Sequence, residues 1–408
     1  MAVTAASYFI KTFGCKVNQV ESDEVHATLS GRRMVSAATA ADASILIVNT
    51  CTVTAEADRK VRKELRRLAR QPNTSVVIVT GCSAVLLKEQ LEELDQKIKV
   101  IADRDKISDY IFQLAETYGE HFPSSFADTK RIRVPVKVQD GCEDFCSYCI
   151  VPFARGACTS ISSDDIVARI QALAETGTKE AVLTGINLGN YESGIPVLLS
   201  RIQRETDIYR VRLSSIEPRH VTDELLAFMK FAGDKPGLLC EHLHIPLQSG
   251  SDYILSEMNR KYSVDDFCAV VKRIREACPH AAISTDVIVG YPGEGEDDFR
   301  QTLELVREIG FAKAHVFRYS RREGTAAALL EPLDPHIVKW RAQALQKQVD
   351  MDALRYLESR KGKELEMVVE AINKDAGTIS GTTREYLRLT RPHTNQRPGD
   401  LINFSILA

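Results

Sequence analysis

The sequence lacks what would place it in a membrane or outside the cell. No apolar run approaches the roughly 20 residues that a spanning helix needs. The first residues, Met1 to Ser7, carry no basic start, apolar middle or small-residue cleavage site. A cytoplasmic protein that keeps off membranes is expected. Strong charge of one sign is missing too: the net charge is −3. Overall charge therefore argues for no particular partner, and local patches have to do so. No segment is of low complexity. Cysteine, by contrast, is abundant, with ten in 408 residues. A disulfide framework does not suit a reducing compartment, so clustered cysteines read as metal-ligating or redox-active.

At roughly 100–200 residues per domain, two to four domains are expected. Residues 8–13, 45–48 and 76–80 are short β-branched runs, with helical stretches at 21–30 and 56–70 between them. Such alternation implies a parallel sheet with right-handed crossovers. Residues 121–128 read as a linker. Six further candidate strands follow at 134–138, 181–184, 211–214, 243–245, 283–289 and 314–317. Helical patterns at 164–175, 195–204, 223–231, 264–277 and 297–309 separate them, which suggests a partial (β/α)6 barrel. Residues 335–360 form one polar helix, and short strands at 365–369, 377–381, 386–389 and 401–406 suggest a small β-barrel. The expected class is α/β, divided as 1–122, 131–332, a linker helix 333–360, and 361–408.

The densest chemistry lies in Gly141-Cys142-Glu143-Asp144-Phe145-Cys146-Ser147-Tyr148-Cys149. Three thiolates this close can grip three irons of a cubane cluster, leaving the fourth iron open to a small molecule. The loop follows the first strand of the expected barrel, at the mouth where barrel active sites are built. Zinc is the other chemistry on offer, but structural zinc takes four ligands. The loop has three, and the nearest further thiol is Cys158.

Cys15, Cys51 and Cys82 share no short motif, yet each follows an expected strand. The C-terminal ends of parallel strands lie along one edge, so the three could converge as a second cluster site. Gly14 and Gly81 would allow tight turns and close backbone approach there. The alternative is three buried structural thiols.

These residues carry a resemblance to the radical S-adenosylmethionine methylthiotransferases that covers the whole chain. The loop Cys142, Cys146 and Cys149 resembles the superfamily's cluster signature. Thr12-Phe13-Gly14-Cys15-Lys16-Val17-Asn18-Gln19 and Asn49-Thr50-Cys51-Thr52-Val53-Thr54 look like the branch acting on N6-threonylcarbamoyladenosine beside the tRNA anticodon. The resemblance implies two [4Fe-4S] clusters on Cys142, Cys146, Cys149 and on Cys15, Cys51, Cys82, these six cysteines being both metal-ligating and catalytic. One S-adenosylmethionine would supply a radical that abstracts the hydrogen at C2 of the adenine. Another would methylate the sulfur to be transferred. The resemblance further implies cofactor contacts from Tyr148, Gly185, Asn187, Ser214, Glu217, Gln248, Ser249, Ile288, Gly290 and Tyr291, all at or near strand ends. A low-potential donor such as flavodoxin or ferredoxin is implied, and a monomer is expected. Phe153 and Cys158 depart from the usual pattern after the triplet, and Cys158, Cys240, Cys268 and Cys278 read as structural thiols.

The last segment resembles the TRAM domain, an RNA-binding β-barrel. Arg384, Tyr386, Arg388, Arg391, His393 and Arg397 interleave charged and aromatic groups that could meet phosphates and an unpaired base. Lys60, Arg62, Lys63, Arg66, Arg67 and Arg70 make a second basic patch on a helix. With the anticodon stem-loop that the resemblance implies as RNA partner, both patches become candidate phosphate contacts. Three other readings share the cysteines: methylthiolation of a ribosomal-protein aspartate, the same chemistry on isopentenyladenosine in tRNA, and a non-enzymatic cluster-carrying RNA scaffold.

Overall fold

A computed structural model describes residues 7–31, 34–103, 106–107, 109–111, 113, 131–230 and 236–406. The expected linker at 121–128 lies outside the described residues. The chain divides into two compact units. One comprises residues 1–130, 149–157 and 321–323; the other comprises 131–148, 158–320 and 324–408.

The first unit is built on a five-stranded parallel sheet. Its order is Val35–Ser36, Ser7–Thr12, Ile45–Thr50, Val76–Gly81, Ile98–Val100. The two strands in the middle are six-residue β-branched runs buried at every position. Such runs suit strands that are covered on both faces. One apolar core gathers Leu46, Val48, Val61, Leu65 and Val77; another gathers Tyr8, Val25, Leu29, Ile45 and Ile78. Alternate residues of one strand thus feed opposite faces. Helix Ala55–Ala69 starts where the Thr54 hydroxyl accepts from Ala57 N–H at 3.1 Å. The short strands at 35–36 and 98–100 carry too few residues to show a pattern and escaped the sequence reading.

The second unit carries six parallel strands: Arg133–Lys137, Glu180–Thr184, Arg210–Leu213, His242–His244, Ala282–Val289 and Lys313–Arg318. They pair in that order, as two three-stranded sheets joined by single parallel bridges, Val211 with Leu239 and Ser215 with His244. Among the described residues the first and last strands do not pair, so the barrel is partial, as expected. Helix Val264–Ala277 begins with a reciprocal cap, in which the Ser263 hydroxyl and the Asp266 carboxylate each accept from the other's backbone N–H. Helix Glu296–Ile309 ends at Gly310 in the left-handed region. Helix Asp252–Glu257, only six residues long, was not foreseen. The helix expected at 223–231 stops at Ala227, and Phe231 lies outside the described residues.

Helix Pro335–Ser359 leads into an antiparallel sheet whose strands pair in the order Arg388–Pro392, Thr378–Thr383, Glu364–Asn373, Leu401–Ser405. This sheet docks on the N-terminal ends of the barrel strands through buried charge. Glu180 accepts from Arg210 and Arg212, and all three side chains are fully buried. The same two guanidiniums donate to the carbonyls of Thr382, Thr383 and Arg384. Arg384 reaches back to Glu241 and to the carbonyls of Gly237 and Leu239. Tyr386, at φ +68°, stacks on His242 with ring centres 4.3 Å apart, and Arg212 and Arg133 approach its ring. Two of the residues expected to hold RNA are therefore part of the seam with the barrel. Both lie in the turn between Thr378–Thr383 and Arg388–Pro392 rather than on the strand expected from 386, and the interleaved pattern of charge and aromatics does not reveal such a turn.

Candidate active site

In the first unit the strand register sets Thr12 opposite Asn49 and Asn49 opposite Thr80. Cys15, Cys51 and Cys82 therefore leave the sheet along one edge. A Cβ added at Gly14 would stand 2.8 Å from Cys51 Cβ, and Gly14 adopts φ +108°. A Cβ at Gly81, φ +87°, would collide with the Asn49 side chain and the Thr50 carbonyl. Both glycines are thus needed for close approach. Burial pushes the Cys51 thiol up to about 11, and the neighbouring Cys82 and Cys15 sulfurs push it the same way. Three sulfurs near enough to repel as thiolates fit a cationic cluster, which would offset that repulsion.

The surrounding side chains form a braced network. The Cys15 thiol donates to Asn18 Oδ1 at 3.1 Å. Asn18 donates in turn to Asn49 Oδ1 and the Thr50 carbonyl. Arg155, from the helix Val151–Arg155, pairs with Glu21 at 2.9 Å and reaches Asn18. Ser83 donates to the Cys51 carbonyl, and Arg322 ties Thr52 to Asp58. Asn18 follows Cys15 by three residues within the Thr12–Gln19 motif, and its bracing role carries no sequence signal of its own. The other braces are remote in sequence and left no signal there.

In the second unit, the loop from Gly141 carries Cys142 and Cys146 at the C-terminal ends of the barrel strands. Burial pushes the Cys142 thiol up to about 11, with Asp144, Cys146 and Cys158 adding to the rise. Burial likewise raises Cys146, while Arg260 opposes it. Arg260 Nη1 lies 3.3 Å from Cys146 Sγ, and its other nitrogen holds both oxygens of Glu217 at 2.6 and 2.7 Å. Gln139 braces the loop start through the carbonyls of Asp140 and Gly141. Cys149 is half-buried and lies one residue before Ile150, the N-cap of the helix Val151–Arg155. Among the described residues no three His, Cys, Asp or Glu side chains close on a single ion. A cubane spreads its ligating sulfurs over a wider triangle than one ion does.

The expected cofactor residues fall into two groups. Asn187 Oδ1 and Ser214 Oγ are buried without a hydrogen-bond partner among the described residues. They lie just past the ends of adjacent strands, where polar groups of S-adenosylmethionine would satisfy them. Tyr148 and Ile288 share an apolar cluster with Ile254, Met258, Tyr291 and Ala327. Such a surface suits an adenine ring. Glu217 is engaged by Arg260 at the same mouth. The remaining five hold the scaffold. Gly185 leaves room for Gln139, and Gly290, at φ +75°, leaves room for Val338. Gln248 takes φ +65° and bonds the Asp286–Ile288 backbone on both sides. Ser249 is fully enclosed, with its hydroxyl on Thr302 and Ser251 N–H. Tyr291 donates to the Glu257 carbonyl and bonds Ser147, thereby fixing the loop between Cys146 and Cys149.

Comparison with known proteins agrees with this geometry. The Radical SAM superfamily model matches residues 136–306, and that of the uncharacterized protein family UPF0004 matches 7–103. The chain is 37% identical over 399 residues to the threonylcarbamoyladenosine tRNA methylthiotransferase MtaB of Thermotoga maritima, covering 93% of this chain and 90% of that one. It is 32% identical to MtaB of Bacillus subtilis, over 98% of this chain and 94% of that one. The tRNA-2-methylthio-N(6)-dimethylallyladenosine synthase of Clostridium novyi is 34% identical, over 98% and 93%. Among solved structures, the radical S-adenosylmethionine methyltransferase TsrM of Kitasatospora setae shares the fold, with a TM-score of 0.58 at 14% identity over 79% of this chain and 77% of that one. From its two cysteine groups to its near full-length relatives, the chain belongs to the radical S-adenosylmethionine methylthiotransferases, transferases that work with S-adenosylmethionine and [4Fe-4S] clusters.

Proposed function

We propose that the enzyme converts N6-threonylcarbamoyladenosine beside the tRNA anticodon to its 2-methylthio derivative, using two S-adenosylmethionine molecules and two [4Fe-4S] clusters. The observation that carries this reading is the placing of Cys15, Cys51 and Cys82 at three adjacent strand ends, with Gly14 against Cys51. A chain that only cleaved S-adenosylmethionine would not need it. The relatives named for threonylcarbamoyladenosine, at 32–37% identity, support the substrate.

In this reading Cys142, Cys146 and Cys149 hold one cluster, and Cys15, Cys51 and Cys82 hold the other. When bound, the first supplies the electron that cleaves S-adenosylmethionine reductively, and the second supplies sulfur. The chain's own residues position and enclose. Asn187 and Ser214 orient polar groups of the cofactor, Tyr148 and Ile288 cover its adenine, and Arg260 fixes Cys146. The exposed basic face of helix Ala55–Ala69, together with Arg388 and Arg397, meets tRNA phosphates. A flavodoxin or ferredoxin delivers electrons to a monomeric, cytoplasmic enzyme. The working division remains 1–122, 131–332, 333–360 and 361–408.

A second reading has support of its own, because relatives named for dimethylallyladenosine are as similar, at 33–34%. Mass spectrometry of nucleosides from a strain lacking this chain separates the two. Loss of the 2-methylthio form of threonylcarbamoyladenosine, with its precursor retained, is expected. Loss confined to the dimethylallyl nucleoside would favour the second reading.

A further inference from the structure

Asn187 lies just past the end of strand Glu180–Thr184, and its carboxamide is pinned at one end only. Its Nδ2 donates to Asp144 Oδ2 at 2.6 Å, while its Oδ1 is buried without a hydrogen-bond partner among the described residues. A carboxylate only accepts, whereas an amide accepts at oxygen and donates at nitrogen. The reversed amide would set two acceptor oxygens against each other at that distance. Asp144 therefore dictates which end of Asn187 faces away from it. The backbone N–H of Asn187 donates to Gln139 Oε1 at 2.9 Å, so the residue is held by its main chain as well.

Asp144 is itself fixed. Its Oδ1 accepts from Arg219 Nη2 at 2.7 Å, and its carbonyl accepts from Asn259 Nδ2 at 3.3 Å. Arg219 Nε lies 3.1 Å from His220 Nε2, and the His220 ring fills the space that a Cβ at Gly189 would need. A chain of contacts thus runs from His220 through Arg219 and Asp144 to Asn187 and stops there. A buried acceptor left unpaired is costly. A network that only braced the loop would have satisfied both ends of the amide.

We propose that Asp144 is a positioning residue for S-adenosylmethionine: it turns Asn187 Oδ1 into a fixed acceptor for the methionyl amino group. Ribose hydroxyls accept as readily as they donate, and the methionyl carboxylate only accepts. With the adenine on the Tyr148 and Ile288 surface, the amino nitrogen is the group that a fixed acceptor selects. The reversed amide would draw the carboxylate instead, so Asp144 sets which way round the methionyl end lies. The inference rests on the placing of the cofactor against Asn187 and adds the residue that gives that contact its polarity.

The test uses the anaerobically reconstituted enzyme, with iron per chain checked for each variant. Calorimetry gives Kd for S-adenosylmethionine and for its analogue lacking the methionyl amino group. Asp144→Asn keeps the shape and still offers an oxygen to Arg219, but it turns a donor toward Asn187, whose amide then reverses. S-adenosylmethionine should bind about 10- to 100-fold more weakly, while the analogue stays within about two-fold of its parental Kd. A residue that only braced the loop would weaken both ligands alike. The exchanged pair, Asp144→Asn with Asn187→Asp, restores a fixed acceptor and should bring S-adenosylmethionine back to within about five-fold of the parent. An unchanged preference for the amino group in Asp144→Asn, or no recovery in the exchanged pair, would overturn the role of Asp144. Where Asp144→Asn loses its iron, the exchanged pair is compared with Asn187→Asp alone, which sets two carboxylates face to face and should bind worse than the pair; equal binding would overturn the role. Parental affinity in Asn187→Ala would overturn the placing of the cofactor, and the role of Asp144 with it, while leaving the tRNA reading intact.

Discussion

Arg260 Nη1 stands 3.3 Å from the sulfur of Cys146. The hydrogen bond and charge favour the more electron-rich state of whatever metal that sulfur holds. Arg260→Met should lower the midpoint potential of the cluster on this loop by on the order of 50 mV, the one-electron equivalent of about 1 kcal/mol. Arg260→Lys keeps the charge without the planar fork and should fall between. Redox titration followed by electron paramagnetic resonance reads the shift. An unchanged potential would remove Arg260 from this role.

The Gly14 and Gly81 turns make the other cysteine group sensitive to one methyl group. Gly81→Ala collides with Asn49 and with backbone at Thr50. We expect a loss of about 2 kcal/mol in stability. Iron in the reconstituted chain should fall from about eight to about four per molecule, as for two cubanes with one lost. Denaturant melts and iron analysis together check this; full iron in the variant would contradict the assignment of that group.

Glu180 predicts an acid limit. Burial alone would raise its pKa, but Arg212 and Arg210 more than offset this and hold it at about 2. Its folded pKa lies below the unfolded value near 4.5. Its stabilising share is therefore complete above pH 4.5 and is lost as pH falls toward 2. Glu180→Gln should cost about 3–5 kcal/mol, since two buried guanidiniums lose their counter-ion, and should flatten the acid limb of a stability–pH curve. A curve parallel to the parent's would show that the group does not titrate in this window.

Salt dependence tests the basic helix. Lys63, Arg66 and Arg70 are exposed on helix Ala55–Ala69 or at its C-terminal end. If each meets a phosphate, replacing all three with Ala should reduce the slope of log Kd against log salt by about 2–3. Arg384→Ala, by contrast, should leave that slope alone and lower stability, because its guanidinium is spent on Glu241 and two carbonyls.

Much of this architecture is written in local patterns. All six barrel strands were expected within about two residues, because β-branched runs alternate with amphipathic helices. Cys15, Cys51 and Cys82 were legible as a group only because each follows such a run. Contacts that join distant segments left no local trace. Arg260 and Cys146 are 114 positions apart, and Arg155 stands 137 from Asn18. Tyr386 and Arg384 look like RNA ligands in sequence and become a seam in space, because they sit in the turn between two strands, and what that turn packs against is set by residues distant in sequence, such as Glu241 and His242. Ser249 and Gly290 lie in motifs that resemble a cofactor site, and the bonds of Ser249 to Thr302 and Ser251 and the room Gly290 leaves for Val338 carry no signal in those motifs.

The seam itself has a consequence for how such chains diversify. Arg210 and Arg212 grip the carbonyl oxygens of residues 382, 383 and 384, groups that every amino acid presents alike. Side chains on the outer side of the terminal sheet can therefore drift freely while the attachment persists. That half of the anchor is blind to side-chain identity, so sequence constraint in the seam concentrates on the few side chains, Arg384 and Tyr386 above all, that reach back to the barrel.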